Sequence, residues 1–137
     1  MNITVHTDGG SLNNPGQAAI GFHIDEGTRR IHEHSEAIGI ASNNVAEYTA
    51  LIRALTYLRD KIAAKELDIT TILVIADSEL MVKQVTGLYK VKNPDIRVLF
   101  NQIKVLEMEI GIPISYKHVL RAENAQADAL VKKALGR

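Results

Sequence analysis

The chain contains no cysteine, so it has no disulfide, no zinc site built on thiolates and no thiol nucleophile. It also carries no excess charge, because 16 Lys+Arg balance 16 Asp+Glu. A basic coat over the whole surface is excluded, and any polyanionic partner must be met by a local patch. The longest apolar run is Ile72 to Ala76, far short of the roughly 20 residues of a membrane-spanning helix. Met1-Asn2-Ile3-Thr4 lacks the basic and then apolar pattern of a secretory signal, so a cytoplasmic location is expected. Repeats, low-complexity stretches and Pro/Ser-rich linkers are missing too. What remains is 137 residues with 46% hydrophobic content, enough for one core and incompatible with intrinsic disorder. A single domain over residues 1–137 is the expectation, with no membrane and no obligate protein partner.

The pattern predicts strands first. Ile3, Val5 and Thr7 alternate with Thr4, His6 and Asp8, and Ile20, Phe22 and Ile24 alternate again. Asp25-Glu26-Gly27-Thr28 is a hairpin signal leading to a third strand through about Gly39. Tyr48, Leu51, Ile52, Leu55, Leu58 and Ile62 then follow helical spacing for about five turns. Ile72 to Ala76 suits a strand buried on both faces, with Ser78 capping a short helix after it. A helix from about Pro94 to Glu109, a strand from Ile112 to Val119 and a helix from about Glu123 to Leu135 complete the chain. The fold class is α/β: a five-stranded mixed sheet, three antiparallel strands followed by two parallel additions, flanked by helices.

Four carboxylates fall at special positions. Asp8 and Asp77 end two strands; if these are parallel neighbours, both emerge at one end of the sheet, where open α/β sheets place their sites. Glu47 and Asp128 lie at the edges of apolar helical stripes and can lean over that end. Four converging carboxylates need cations between them, and Mg²⁺ or Mn²⁺ are the natural complement. Each carboxylate also has an ordinary reading as a turn residue, a helix cap or a solvated charge. His23, His32 and His34 would share one sheet face if the hairpin turns at Glu26-Gly27, but spacing fixes no further zinc ligand, so an exposed antiparallel face accounts for them.

Asp8-Gly9-Gly10-Ser11-Leu12-Asn13-Asn14-Pro15-Gly16 resembles the first-strand motif of the type 1 ribonucleases H. Asn43-Asn44-Val45-Ala46-Glu47-Tyr48 and Asp77-Ser78-Glu79-Leu80 are similar to the second and third motifs, and Arg121 to Asp128 to the fourth. The resemblance implies a ribonuclease H-like fold and two-metal cleavage of RNA paired with DNA, leaving a 5′-phosphate and a 3′-hydroxyl. It places Asp8, Glu47, Asp77 and Asp128 at the catalytic metal positions, for two Mg²⁺ ions with Mn²⁺ as a substitute. Gly9, Ser11, Asn14, Asn43, Asn44, Ser78, Lys92, Arg121 and Asn124 become the expected contacts to the RNA–DNA hybrid.

Two departures from the family pattern stand out. Many bacterial members carry a loop histidine before the last Asp, whereas His118 here alternates with Tyr116 and Ile114 as a strand residue would. Arg121 occupies the loop instead, as in the Arg-containing branch. Gly87 and Leu88 also lead almost directly into Tyr89-Lys90-Val91-Lys92-Asn93-Pro94, which removes the basic protrusion of other members. Weaker binding is expected, with Lys90 and Lys92 left to touch phosphate. The alternatives are a non-catalytic nucleic-acid-binding module and a related nuclease acting on structured DNA or RNA.

Overall fold

Alternating apolar residues produce three long strands at the start of the chain: β1 (Asn2–Ser11), β2 (Gly16–Glu26) and β3 (Arg29–Ala41). The structure is a computed structural model that describes residues 1–137. β4 (Thr71–Ala76) and β5 (Ile114–His118) complete one sheet in the order β3-β2-β1-β4-β5. β1 pairs antiparallel with β2 and parallel with β4, and β4 pairs parallel with β5.

Long helices cover both faces. α1 (Asn43–Ala63) lies against β1 and β2, with α3 (Pro94–Ile110) packed beside it. Between β4 and α3 runs the short α2 (Glu79–Val85), while α4 (Ala125–Ala134) packs on β1, β2 and β3. The main core is formed by Val5, Phe22, Leu51, Leu55, Leu58, Ile72 and Ile103, all fully or almost fully buried. Removing such apolar surface from water stabilises the fold by about 25 cal/mol per Å². Residues 86–93 join α2 to α3 without a further helix. No helix is long and apolar enough to cross a membrane.

The structure differs from the sequence reading in several places. β1 does not end at Asp8 but runs on through Gly9 and Gly10 to Ser11, which pair with Ile20, Ala19 and Ala18 of β2. β5 is shorter than expected: Pro113 accepts from Ile72 N–H at 3.1 Å but has no N–H with which to extend the ladder. The last helix begins at Ala125, after a 3₁₀ turn over Arg121–Asn124, rather than at Glu123. Asn124 breaks the helical path at φ −120°, ψ 29° and sends its Nδ2 to the Thr7 carbonyl, 2.9 Å away.

A further difference concerns the histidines. A register shift between Ile24 and Asp25 gives β3 an extra residue, so His32 pairs with Ile24 and Glu33 with His23. One extra residue turns every later side chain to the opposite face. His32 and His34 therefore pack near Phe22, while His23 stacks on His6 with ring centroids 4.6 Å apart and planes 15° from parallel. The expected three-histidine face does not exist. Near-parallel stacking also keeps the in-plane lone pairs of His6 and His23 from meeting at one ion, and Asp25 beside them is engaged by His23 and Arg30.

Candidate active site

The parallel pairing of Thr7 with Ala76 brings Asp8 and Asp77 out of adjacent strands at the same end of the sheet. Glu47 reaches them because α1 lies unusually close to β1. A Cβ on Gly9 would stand 2.3 Å from the backbone carbon and oxygen of Ala46, so only glycine permits this approach. Across that contact the Gly9 N–H donates to Glu47 Oε1 at 2.6 Å. Glu47 is thus a carboxylate aimed at the sheet end, while the cap of α1 is Ser42, whose Oγ accepts from Val45 N–H. On the opposite face Gly21 sits directly across from Asp8, and a Cβ there would meet Leu130 Cβ at 2.6 Å. The missing side chain lets α4 settle onto the sheet and brings Asp128 to the same end.

The four carboxylates live in different electrostatic environments. Ligand oxygens of Asp8, Glu47 and Asp77 lie within 4.8 Å of one another. Burial, then the neighbouring Asp77 charge, pushes Asp8 up to about 7. Glu47 is also raised well above its usual value, by burial first and then by the neighbouring Asp8 charge. For Asp128, partial burial acts upward, but hydrogen bonds from Lys132 and Arg121 outweigh it and hold the carboxyl below the usual range. Three crowded carboxylates with only oxygen donors fit a hard divalent cation, whose charge would relieve the repulsion that raises Asp8 and Glu47.

A cavity of about 420 Å³ opens over this cluster. Gly9, Ser11, Asn43, Asn44, Ser78 and Arg121 line it, together with all four carboxylates. Ser11 donates to Asn43 Oδ1 through its N–H at 2.9 Å and its Oγ at 3.0 Å. Asn14 stands behind this pair, its Oδ1 accepting from Asn43 N–H at 3.0 Å. Ser78 caps α2 by accepting from Met81 N–H.

Three expected contacts are not brought to the cavity: Asn14 stands behind its wall, and Lys92 and Asn124 lie away from it. Lys92 is exposed on the connection between α2 and α3. Asn124, only 1% exposed, is a strut between the 3₁₀ turn and β1 rather than a surface contact. His118 ends β5 and lies 3.8 Å from Glu79, so it is Arg121 of the following turn, 3.2 Å from Asp128, that approaches this carboxylate from the loop side. Sequence reasoning missed Lys132, whose Nζ is 2.9 Å from Asp128 Oδ2. Its signal was the four-residue spacing from Asp128 on a predicted helix.

The family model described as RNase H matches residues 1–136. Over 138 residues the chain is 39% identical to the "Bifunctional protein Rv2228c" of Mycobacterium tuberculosis, covering 98% of this chain and 36% of that protein. It is 38% identical over 135 residues to the "Ribonuclease HI" of Halobacterium salinarum, covering 97% of this chain and 64% of the relative. The chain thus spans between about a third and two thirds of these relatives' length. Among solved structures, the crystal structure of LC11-RNase H1 in complex with RNA/DNA hybrid superposes with a TM-score of 0.91 at 42% identity, covering 98% of this chain and 97% of that one. The RNase H1 of the halophilic archaeon Halobacterium salinarum gives 0.87 at 36% identity, covering 99% and 98% of the two chains.

Proposed function

Because this chain belongs to the type 1 ribonuclease H family, we propose that it is a metal-dependent endoribonuclease acting on the RNA strand of RNA–DNA hybrids. The products are a 5′-phosphate and a 3′-hydroxyl, and the working compartment in this reading is the cytoplasm. The observation that carries the proposal is the meeting of Asp8, Glu47 and Asp77 at one sheet end, with Asp128 across the same cavity. Residues 1–137 act as one domain in this reading, because these carboxylates come from both ends of the chain.

Asp8, Glu47 and Asp77 would hold one Mg²⁺, and Asp128 would help to hold a second, with Mn²⁺ as a substitute. When bound, such a pair activates a water and neutralises charge at the phosphodiester. The protein's own groups prepare that chemistry. Gly9 N–H fixes the Glu47 carboxylate, and Asp8, raised to about 7 by burial and its neighbours, would give up its proton on holding a cation. Asn43 and Asn44 offer amide donors and acceptors on the cavity wall, suited to the sugar 2′-hydroxyl that marks a strand as RNA. Arg121 offers a permanent cation for a phosphate but cannot exchange a proton near neutral pH.

The test is a Mg²⁺-dependent cleavage assay on an RNA–DNA hybrid, double-stranded RNA and double-stranded DNA. Cleavage confined to the RNA of the hybrid is expected. Binding without cleavage would point to a non-catalytic module, and cutting of the other duplexes to a different nuclease on the same fold.

A further inference from the structure

Asp128 is the one carboxylate of the four that already has counterions. Lys132 Nζ stands 2.9 Å from its Oδ2 and Arg121 Nη2 stands 3.2 Å from its Oδ1, so both oxygens are engaged. The two cations are held differently. Arg121 projects from the 3₁₀ turn with its side chain 74% exposed, whereas Lys132 lies one helical turn beyond Asp128 on the same face of α4, 50% exposed. Asp8, Glu47 and Asp77 have no such partner and crowd one another instead.

We infer that Lys132 is a resident counterion of Asp128 that a divalent ion must displace, so that Asp128 becomes a metal ligand only when an anion draws the ammonium away. This rests on the metal-dependent phosphodiester reading above. An oxygen that touches an ammonium at 2.9 Å cannot also take a dication at about 2.1 Å without strong repulsion between the two cations. The ammonium is a compact charge on a flexible stem, and a half-exposed ion pair of this kind is weak enough to open. A phosphate arriving over the cavity gives Lys132 a second anion to follow. Metal loading is therefore ordered: the three crowded carboxylates fill first, and the Asp128 side fills with the substrate. Lys132 is a positioning residue, acting through Asp128.

Titration calorimetry of Mn²⁺ and Mg²⁺ into protein free of nucleic acid, at pH 8, tests this. Wild type is expected to bind one ion well and a second poorly. Lys132→Gln should bind the second ion at least about tenfold more tightly than wild type does, because a unit charge in contact with the site is gone. Lys133→Gln removes the same charge from the neighbouring exposed position and should stay within about twofold of wild type. Lys132→Arg should restore the wild-type titration, and adding Asp128→Asn to Lys132→Gln should erase the gain. Identical titrations of Lys132→Gln and wild type, or an equal shift in Lys133→Gln, would overturn the inference. In cleavage assays Lys132→Gln should need less Mg²⁺ for half-maximal rate; a raised KM for hybrid with unchanged metal dependence would make Lys132 a plain phosphate contact. Since the titration contains no nucleic acid, failure to cut hybrids would defeat the substrate reading and leave the metal result intact.

Discussion

Gly9 and Glu47 are locked together twice: the glycine has no Cβ to hold Ala46 away, and its N–H donates to Glu47 Oε1 at 2.6 Å. Gly9→Ala would place a methyl 2.3 Å from the Ala46 backbone, and backbone atoms cannot swing aside as a side-chain tip can. α1 must retreat and take Glu47 with it. A loss of about 3 kcal/mol in stability is expected from overpacking of this severity. Urea denaturation measures it, and a wild-type midpoint would contradict the close approach.

Asp8 makes the metal-free protein sensitive to pH in an unusual direction. Its folded pKa of about 7 lies above the unfolded value near 3.9. The native state therefore binds more protons in between, so this contribution to stability is full below about pH 4 and lost as pH rises through 7. Asp8→Asn removes the repulsion of the ionised form. Its melting temperature should exceed that of wild type at pH 8, with a smaller gain at pH 5, both in chelator. Thermal melts across pH that give an equal or reversed gain would remove this account of Asp8.

Asp77→Asn is expected to leave the fold intact and to abolish hybrid cleavage, since this carboxylate completes the crowded set. Circular dichroism and a cleavage assay on one preparation check both halves. Near-normal turnover at ordinary Mg²⁺ would exclude the metal assignment.

Asn14 and Asn44 should respond alike in size but for different reasons. Asn14 supports Asn43 from behind the cavity wall, whereas Asn44 lies on the wall itself. Replacing either with Ala should cost about 1–2 kcal/mol in kcat/KM, the scale of one hydrogen bond. Hybrids with single 2′-deoxy substitutions separate them: Asn44→Ala should become insensitive to one such substitution. If every single substitution is silent in wild type, neither residue reads the sugar.

The short connection over residues 86–93 leaves Lys90 and Lys92 as exposed cations on that side. Replacing both with Ala should raise KM with little change in kcat, because contacts away from the reacting bond bind ground state and transition state alike. The log–log salt slope should fall by up to about two if both meet phosphate. Steady-state kinetics over a salt series decide the matter, and an unchanged KM and slope would turn this loop away from the substrate.

Part of this site was legible from the strands. Asp77 follows five apolar residues and lies just past the end of β4, whereas β1 runs on past Asp8 to Ser11. The parallel pairing of β1 and β4 still brings both carboxylates out at one end of the sheet. Glu47 was legible as the polar edge of an apolar stripe. The histidines were not, because the extra residue opposite Ile24 and Asp25 leaves no trace in alternation yet reverses the face of His32 and His34. Asn124 was misread for a related reason. Its amide is consumed by the Thr7 carbonyl, a contact 117 residues away that no local pattern encodes. Lys132 was visible as a spacing, but a charge four residues from Asp128 has meaning only once Asp128 is known to face a cavity.

The seat that Gly21 leaves for α4 ties completion of the site to the order in which the elements pack. Asp8 and Asp128 are 120 residues apart in the chain, and the helix carrying Asp128 can dock only on a sheet face already assembled. A partly folded chain therefore lacks its fourth carboxylate at the sheet end, and the full ligand set exists only once α4 is seated.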